Sequence, residues 1–343
     1  MCCQADVQRR GIGAAADVRS EYLSVEPREL LSVVVPAYNE QDVLPEFHER
    51  LATVLNGLAL DCEILYVNDG STDKTPQLLQ RLHEQDERVA ILDLSRNFGK
   101  EIALTAGLNK ARGDAVIVID ADLQDPPELM PTLLEQWRNG YDVVYAKRVR
   151  RQGETLAKRF TAKLFYRFMR HIGDVKLPQD VGDYRLLSRR AVDAVNTLCE
   201  HNRFMKGLFA WIGYRQKAVL YERDPRYAGE TKWNYWKLWN FALEGITSFT
   251  TAPLRVSTYV GLLTAVGAFG YGLFIVVRTL LFGDPVPGYP SLIVIILFLG
   301  GIQLMSIGIM GEYIGRIFNE TKRRPLYFVN QYLPARRPPT QGS

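Results

Sequence analysis

The chain has 343 residues, which gives room for a core domain and a further part, because single domains commonly have about 100–200 residues. Its composition is that of a globular protein, and its net charge of +4 is too small to indicate nucleic-acid binding. The four cysteines lack the spacing of a metal site or a disulfide framework, which favours free thiols in a reducing compartment.

The first predicted segment, residues 1–28, is a flexible polar tail without the cationic and then apolar pattern of a signal peptide. Strands and helices then alternate along the chain. The predicted strands cover 30–35, 63–67, 89–94, 116–119 and 141–146, and the predicted helices cover 42–58, 75–85, 101–111 and 128–139. This alternation predicts a parallel α/β sheet with right-handed connections and helices on both faces.

The fourth predicted strand is followed directly by acidic side chains. Its four β-branched residues suit a strand that is covered on both faces, and Asp120, Asp122 and Gln124 come next. Ligands of open α/β sheets bind just beyond the carboxyl ends of the strands. Oxygen ligands of this kind suit Mg²⁺ or Mn²⁺ that carries a phosphate group. The alternative is that the two aspartates only cap a turn.

Two other strand ends carry polar residues. Asp69 follows the second strand, where it is placed to accept hydrogen bonds from a base or a ribose; a plain turn with an N-cap is the alternative. Lys100 follows the third strand at a predicted helix start, where it can face phosphates; a solvated lysine is the alternative. No Gly-x-Gly-x-x-Gly pattern follows the first strand, which argues against a dinucleotide site.

Basic and apolar residues interleave in residues 147–172, where Phe160, Leu164 and Phe168 recur on one helical face. Such basic amphipathic helices are typical of a membrane surface, and an ordinary solvated helix is the alternative. Residues 180–186 form a second acidic cluster. Residues 221–233 form a loop of cations and aromatic side chains that suits a pyrophosphate or a lipid phosphate.

Two long apolar runs, 256–282 and 289–311, predict two transmembrane helices, because a bilayer core needs about 20 apolar residues. The loop between them contains no Lys or Arg, whereas Arg255 precedes the first run and several basic residues follow the second. The positive-inside rule therefore predicts that both ends of this hairpin are cytoplasmic.

Three motifs resemble those of family-2 glycosyltransferases with a GT-A fold. They are Val-Val-Val-Pro-Ala-Tyr-Asn-Glu at 33–40, Asn-Asp-Gly-Ser-Thr-Asp at 68–73 and Asp-Ala-Asp-Leu-Gln-Asp-Pro-Pro-Glu at 120–128. The set is more closely similar to polyprenyl-phosphate glycosyltransferases, namely bactoprenol glucosyltransferases and dolichol-phosphate mannose synthases. Residues 180–186, residues 226–233 and the two spans are most similar to the bactoprenol branch.

The resemblance implies an α/β fold: a GT-A, Rossmann-like nucleotide-diphospho-sugar transferase domain, then amphipathic interface helices and two C-terminal transmembrane helices. The implied parts are a cytoplasmic catalytic domain at 29–235, a juxtamembrane segment at 236–255, spans at 256–282 and 289–311, and a cytoplasmic tail at 312–343.

The resemblance also implies roles for individual side chains. The nucleotide sugar would contact Pro36, Tyr38, Glu40, Asp69, Lys100, Asp120 and Lys232. Asp122 and Gln124 would hold the metal, and Arg148 and Arg159 would hold the lipid phosphate. Catalysis would involve Asp183, Asp122 and Arg226. Asp183 matches the proposed base of the bactoprenol branch. However, a phosphate monoester has a second pKa of about 6 and needs little deprotonation, so Asp183 has an alternative role in orienting sugar hydroxyls or an arginine.

The implied activity is that of an inverting hexosyltransferase in the bacterial inner membrane. It would move glucose from UDP-glucose to undecaprenyl or another polyprenyl phosphate, with Mg²⁺ or Mn²⁺, for modification of cell-envelope glycans. The implied partners are the nucleotide sugar, the polyprenyl phosphate, membrane lipids and a second copy in a homo-oligomer, but no nucleic acid. The alternatives are another donor, of the GDP-mannose or UDP-aminoarabinose type, and a membrane protein that binds nucleotide sugars without catalysis.

Overall fold

The computed structural model describes residues 29–148, 181–198, 200–201, 203–221, 252–282 and 288–336. Within these residues an eight-stranded sheet forms the centre of the fold. Its strands are β1 (Leu30–Ala37), β2 (Asp61–Asn68), β3 (Val89–Leu94), β4 (Ala115–Val118), β5 (Val143–Arg148), β6 (Val181–Ser188), β7 (Gln216–Tyr221) and β8 (Val329–Leu333). The helices are α1 (Leu44–Asn56), α2 (Thr75–Gln85), α3 (Lys100–Lys110), α4 (Met130–Arg138), α5 (Arg189–Thr197), α6 (Met205–Trp211), α7 (Ala252–Phe282) and α8 (Tyr289–Thr321).

The strand order is β7-β5-β6-β4-β1-β2-β3-β8, and the sheet is mixed. Strands β4, β1, β2 and β3 are parallel neighbours, as the alternating pattern predicts. The predicted parallel sheet is correct for the five strands of the alternating pattern but incomplete. Strand β6, which was not predicted, lies between β4 and β5 and is antiparallel to both, and β8 is antiparallel to β3. The charged residues of β6 are the reason that the sequence pattern did not predict this strand. Leu186 and Leu187 are fully buried on opposite faces, and Arg185 is only 4% exposed.

Apolar side chains on the two faces of the central strands form two cores. Val33 and Val35 of β1 pack in one core with α1, and Val34 packs in the other with α3. Helix α3 lies very close to β1, since a Cβ added at Gly107 would be 2.3 Å from Val34 Cγ1. This close approach holds the first residue of α3, Lys100, beside the carboxyl end of the sheet.

Helices α7 and α8 are long and apolar, and they contain two candidate membrane spans, Val256–Phe282 and Val294–Thr321. Their described side chains are largely exposed; Leu263 is 76% exposed and Phe282 is 81% exposed. The core helix of a soluble protein would bury such side chains, so this exposure agrees with membrane association of the two helices. Helix α8 continues ten residues beyond the predicted end of the second span.

The segment after α8 returns to the sheet. Strand β8 pairs with the edge strand β3 in antiparallel orientation, and Asn330 Nδ2 donates to Asp93 Oδ2 at 2.7 Å. At the end of α8, Glu320 accepts a hydrogen bond from the His201 backbone N–H at 2.8 Å. The predicted C-terminal tail therefore contains a strand that joins the central sheet to the second apolar helix.

Candidate active site

The loops after β1 and β2 are tied together at the carboxyl edge of the sheet. Asn39 Oδ1 accepts from the Thr72 backbone N–H at 2.8 Å, and the Asn39 backbone N–H donates to Ser71 Oγ at 3.0 Å. The Glu40 backbone N–H donates to Thr75 Oγ1 at 2.9 Å. Asn39 has a φ of 54°, which asparagine tolerates better than most residues. These hydrogen bonds fix the two loops to each other at the edge of the sheet where a nucleotide is expected.

Asp69 joins the loop after β2 to the loop after β3. Its side chain is buried, and its two oxygens accept from the backbone N–H groups of Phe98 at 2.7 Å and Gly99 at 2.9 Å. Burial raises the pKa of Asp69, and these two hydrogen bonds oppose the rise. The neighbouring Gly70 has a φ of 66°, and a Cβ there would lie 2.4 Å from the Arg96 backbone carbon. Asp69 thus positions the loop that leads into Lys100.

Lys100 lies between two carboxylates, one from the loop after β4 and one from β6. Its Nζ is 2.6 Å from Asp120 Oδ2, beyond the end of β4, and 2.5 Å from Asp183 Oδ2 in β6. A second lysine, Lys206 of α6, lies 3.5 Å from Asp183 Oδ1. The alternative of a freely solvated Lys100 does not hold, and residues far apart in the chain form one charged cluster.

The cluster changes the acidity of its members. Burial alone would raise the pKa of Asp183, but Lys100 and Lys206 lower it well below its usual range. Burial, together with the charge of Asp183, raises the pKa of Asp120, and Lys100 opposes this rise. Burial opposes protonation of Lys100, but the two carboxylates raise its pKa. Lys100 therefore stays charged and Asp183 stays ionised at neutral pH.

Behind this cluster, three polar side chains connect the ends of three elements. Tyr221 OH donates to Asp125 Oδ1 at 2.5 Å, and Arg148 Nε donates to Tyr221 OH at 3.3 Å. Arg148 and Tyr221 are the last residues of neighbouring parallel strands and are register partners. The network places the Arg148 guanidinium at the same carboxyl edge as the aspartates.

A model of glycosyl transferase family 2 matches residues 32–195, and a model described as the GtrB C-terminal hairpin matches residues 252–317. An uncharacterised glycosyltransferase of Synechocystis is 54% identical over 309 residues, which are 89% of this chain and 97% of the relative. The chain belongs to glycosyltransferase family 2. A bactoprenol glucosyl transferase of Shigella phage SfV is 50% identical over 299 residues, which are 87% of this glycosyltransferase and 97% of the phage protein.

Solved structures with a similar arrangement include glucosyl-3-phosphoglycerate synthase from Mycobacterium tuberculosis in complex with Mn²⁺ and UDP-glucose. It is 20% identical, the match covers 64% of this glycosyltransferase and 77% of that chain, and the TM-score is 0.43. A similarity this low has no bearing on the details of the site. The GT-A fold predicted from the motifs is confirmed by the family match and the mixed Rossmann-like sheet.

The acidic loop of this glycosyltransferase offers ligands for a divalent metal. Asp122 is partly exposed, and its Oδ1 also accepts the Gln124 backbone N–H at 3.1 Å, so the turn-capping alternative is present as well. Among the residues described here, no group of three or more His, Cys, Asp or Glu side chains is arranged as a complete metal site. Mg²⁺ commonly takes one or two carboxylates and completes its shell with substrate phosphates and water, so Asp122 fits such an ion. The Gln124 side chain is buried, and its ligand role stays a prediction.

The other predicted site residues divide into two groups. Pro36 lies at the end of β1, Tyr38 is 44% exposed at the same edge, and Glu40 follows in the tied loop. Arg159, Arg226 and Lys232 lie outside the described residues, as does most of the predicted amphipathic segment 147–172.

Lys206 was not predicted as a site residue. Lys206 is the one cation in the otherwise apolar helix Met205–Trp211. A single charge in an apolar segment is the sequence feature that could have indicated a site residue.

Proposed function

We propose that this glycosyltransferase is a hexosyltransferase that moves glucose from UDP-glucose to undecaprenyl or another polyprenyl phosphate. The observation that carries the proposal is the near full-length similarity to bactoprenol glucosyl transferases, with 50% identity and 97% of the phage relative covered. Two candidate membrane spans in the same chain support a lipid acceptor. The charged cluster at the carboxyl edge of the sheet supports a donor that carries phosphates.

The donor side of the site has a chemical role for each described side chain. A divalent ion, when bound at Asp122, supplies Lewis-acid stabilisation of the charge that develops on the leaving diphosphate. Asp120 faces the expected sugar and ribose from beyond β4. Lys100 is a permanent cation held in place by two carboxylates, so it is preorganised for a nearby phosphate. Arg226 and Lys232 are proposed as further cations for the diphosphate.

Asp183 is proposed as an anchor for the two lysines, not as an obligatory base. The lysines lower its pKa, which makes it a weak proton acceptor. The acceptor phosphate needs little help, because its second pKa is about 6 and it is largely ionised at neutral pH. Attack by this oxygen on the anomeric carbon, opposite the departing diphosphate, forms one bond as the other breaks and inverts that carbon.

Arg148 and Arg159 are proposed to hold the lipid phosphate of the acceptor. A guanidinium presents a planar fork of donors that matches phosphate oxygens. Arg148 ends β5 at the carboxyl edge, on the far side of β6 from β4. An acceptor that approaches there presents its phosphate to the edge that also carries Asp120 and Asp122.

The basic residues that flank the hairpin support a cytoplasmic catalytic domain and cytoplasmic termini in the bacterial inner membrane. On that side the enzyme meets nucleotide sugars and the phosphate end of the lipid carrier. The product is a lipid-linked sugar for the modification of envelope glycans. A homo-oligomer stays a prediction from the resemblance.

The proposal is tested by a transfer assay in detergent with undecaprenyl phosphate, a panel of nucleotide sugars, and Mg²⁺, Mn²⁺ or EDTA. We expect glucose in the lipid phase, and loss of at least about 100-fold in rate with EDTA or in Asp122→Ala, because metal stabilisation amounts to several kcal/mol. Asp193→Ala is the matched control, since Asp193 is an exposed carboxylate on α5 that makes an ion pair only with Arg189 in the described structure.

Three outcomes of this assay contradict parts of the proposal. Transfer of a different sugar from the panel overturns the choice of UDP-glucose and leaves the chemistry intact. Full activity in EDTA overturns the metal. Donor binding or hydrolysis without sugar in the lipid phase, for every donor, overturns the polyprenyl phosphate acceptor.

A further inference from the structure

A buried polar network lies between the acidic loop and the end of β5. Asp125 is only 1% exposed, and its Oδ1 accepts a 2.5 Å hydrogen bond from Tyr221 OH. The same tyrosine oxygen accepts from Arg148 Nε at 3.3 Å. The three side chains come from the loop after β4, the end of β7 and the end of β5, so packing of the sheet brings them together.

The direction of these hydrogen bonds follows from the acidity of the tyrosine. Burial and the charge of Asp125 raise the pKa of Tyr221 to about 12, so the hydroxyl keeps its proton at neutral pH. Its single proton is donated to Asp125, and its lone pairs face the cationic Arg148. Asp125 thereby orients the hydroxyl, and the hydroxyl holds one nitrogen of the guanidinium.

The neighbouring strand leaves space for this arrangement. A Cβ added at Gly182 of β6 would be 3.2 Å from Arg148 Nη2 and 3.8 Å from Asp125 Oδ2. Any larger residue would press on the arginine. Within the described part of the chain, Arg148 makes its hydrogen bond to the Tyr221 hydroxyl through Nε, which leaves the two Nη groups available for a ligand.

We propose that Tyr221 and Asp125 are positioning residues for Arg148, and that they hold its guanidinium in the orientation that binds the lipid phosphate of the acceptor. This inference rests on the proposed function. An arginine side chain has several rotatable bonds, so fixing Nε before the acceptor arrives lowers the entropy cost of gripping a phosphate with the two Nη groups. The hydroxyl of Tyr221 touches the arginine and not the substrate.

The experiment is steady-state kinetics of Tyr221→Phe in detergent with a short-chain polyprenyl phosphate and UDP-glucose varied separately. We expect the KM for the polyprenyl phosphate to rise about fivefold to tenfold, as for the loss of one intramolecular hydrogen bond of ordinary strength. The KM for the nucleotide sugar and the thermal midpoint of unfolding are expected to stay close to those of the wild type.

Tyr184→Phe is the matched control. Tyr184 is fully buried in the same core, and its hydroxyl makes no hydrogen bond within the described residues. The substitution therefore removes a tyrosine hydroxyl from the same apolar core, one that makes no hydrogen bond to Arg148. We expect an unchanged KM for the polyprenyl phosphate. Gly182→Ala is the companion variant, since it displaces Arg148 Nη2 while Tyr221 stays intact, and we expect it to raise the same KM.

Arg148→Ala and the double variant with Tyr221→Phe separate this inference from the proposed function. We expect Arg148→Ala to raise the KM for the polyprenyl phosphate more than Tyr221→Phe does, and the double variant to be no worse than Arg148→Ala. If Arg148→Ala raises the KM for the polyprenyl phosphate but Tyr221→Phe and Gly182→Ala do not, the positioning role is overturned and the assignment of Arg148 to the acceptor stands.

Additive effects in the double variant, or an equal change in both substrates' KM values in Tyr221→Phe, also overturn the positioning role. An unchanged KM for the polyprenyl phosphate in Arg148→Ala overturns both the inference and the assignment of Arg148 to the acceptor.

Discussion

At the scale of single residues, the site depends on how charges restrain one another. Lys100 lies 2.6 Å from Asp120 and 2.5 Å from Asp183, and Lys206 approaches Asp183 from the other side. An aspartate between two lysines keeps its negative charge far below neutral pH. The arrangement suits a residue that holds cations for a diphosphate, and it is unsuited to proton abstraction.

The pH dependence of Asp183→Asn tests this interpretation. We expect the variant to be slower, because Lys100 and Lys206 lose their shared anchor, but to keep the fall in rate below about pH 6 that protonation of the acceptor phosphate produces. The measurement is kcat from pH 5 to pH 9 at saturating substrates for the variant and the wild type. Loss of the acidic limb in Asp183→Asn alone would assign that limb to Asp183 and restore its role as a base.

At the scale of elements, a carboxylate of α3 caps the start of the short helix α6. Glu101 of α3 accepts a hydrogen bond at Oε2 from the Met205 backbone N–H at the start of α6, at 3.1 Å. Burial, with the charge of Asp183 added, raises the pKa of Glu101 to about 7. This contact fixes α6, and with it Lys206, against the first turn of α3.

Glu101→Gln is expected to change how stability depends on pH. The pKa of about 7 in the folded protein lies above the ordinary glutamate value of 4.5, so wild-type stability falls as pH rises from 4.5 to about 7. A shift of this size corresponds to about 3 kcal/mol. Glutamine keeps an acceptor for the Met205 N–H without the charge. We therefore expect the thermal midpoint of the variant, minus that of the wild type, to be larger at pH 8.5 than at pH 5. A difference that does not vary with pH would contradict the raised pKa.

At the scale of the whole molecule, the segment after the second apolar helix connects that helix to the central sheet. Strand β8 covers the edge of β3, and the Ser95 backbone N–H donates to the Phe328 carbonyl at 3.0 Å. Asp93 accepts from Asn330 with one oxygen and from Asn68 with the other. Asn68 in turn accepts from the Ser71 backbone N–H, so β8 is linked to the loop predicted to contact the nucleotide.

Two truncated chains test the role of this segment. A chain that ends at Arg324 lacks β8 and exposes the N–H and C=O groups of β3, so we expect a lower thermal midpoint and aggregation in detergent. A chain that ends at Arg336 keeps β8 and every described contact, and we expect it to match the wild type. Size-exclusion profiles and thermal unfolding compare the two. Equal behaviour of the two chains would show that β8 does not stabilise the sheet edge.

Local sequence patterns determined a large part of this protein. The two candidate membrane spans follow from long apolar runs, in which Arg278 is the one charged residue, since the thickness of the bilayer sets a length that few other structures require. The alternating strands and helices before β5, and the acids after β4, follow from residue patterns within single elements. The family motifs predict the GT-A fold, and they can be recognised in the sequence because the residues of each motif are contiguous.

Only the tertiary structure decided which distant elements meet. The antiparallel insertion of β6, the approach of Lys206 to Asp183 and the pairing of β8 with β3 join residues separated by tens to hundreds of positions. Such pairings depend on which strand edge of the sheet is unpaired and on which side chains pack between the sheet and the helices. The residue pattern of a single segment does not predict them. Residues 180–186 were predicted only as an acidic cluster, and no strand was assigned there. Asp183 and Arg185 lie in β6 because their charges are balanced by partners from α3, α6 and the backbone.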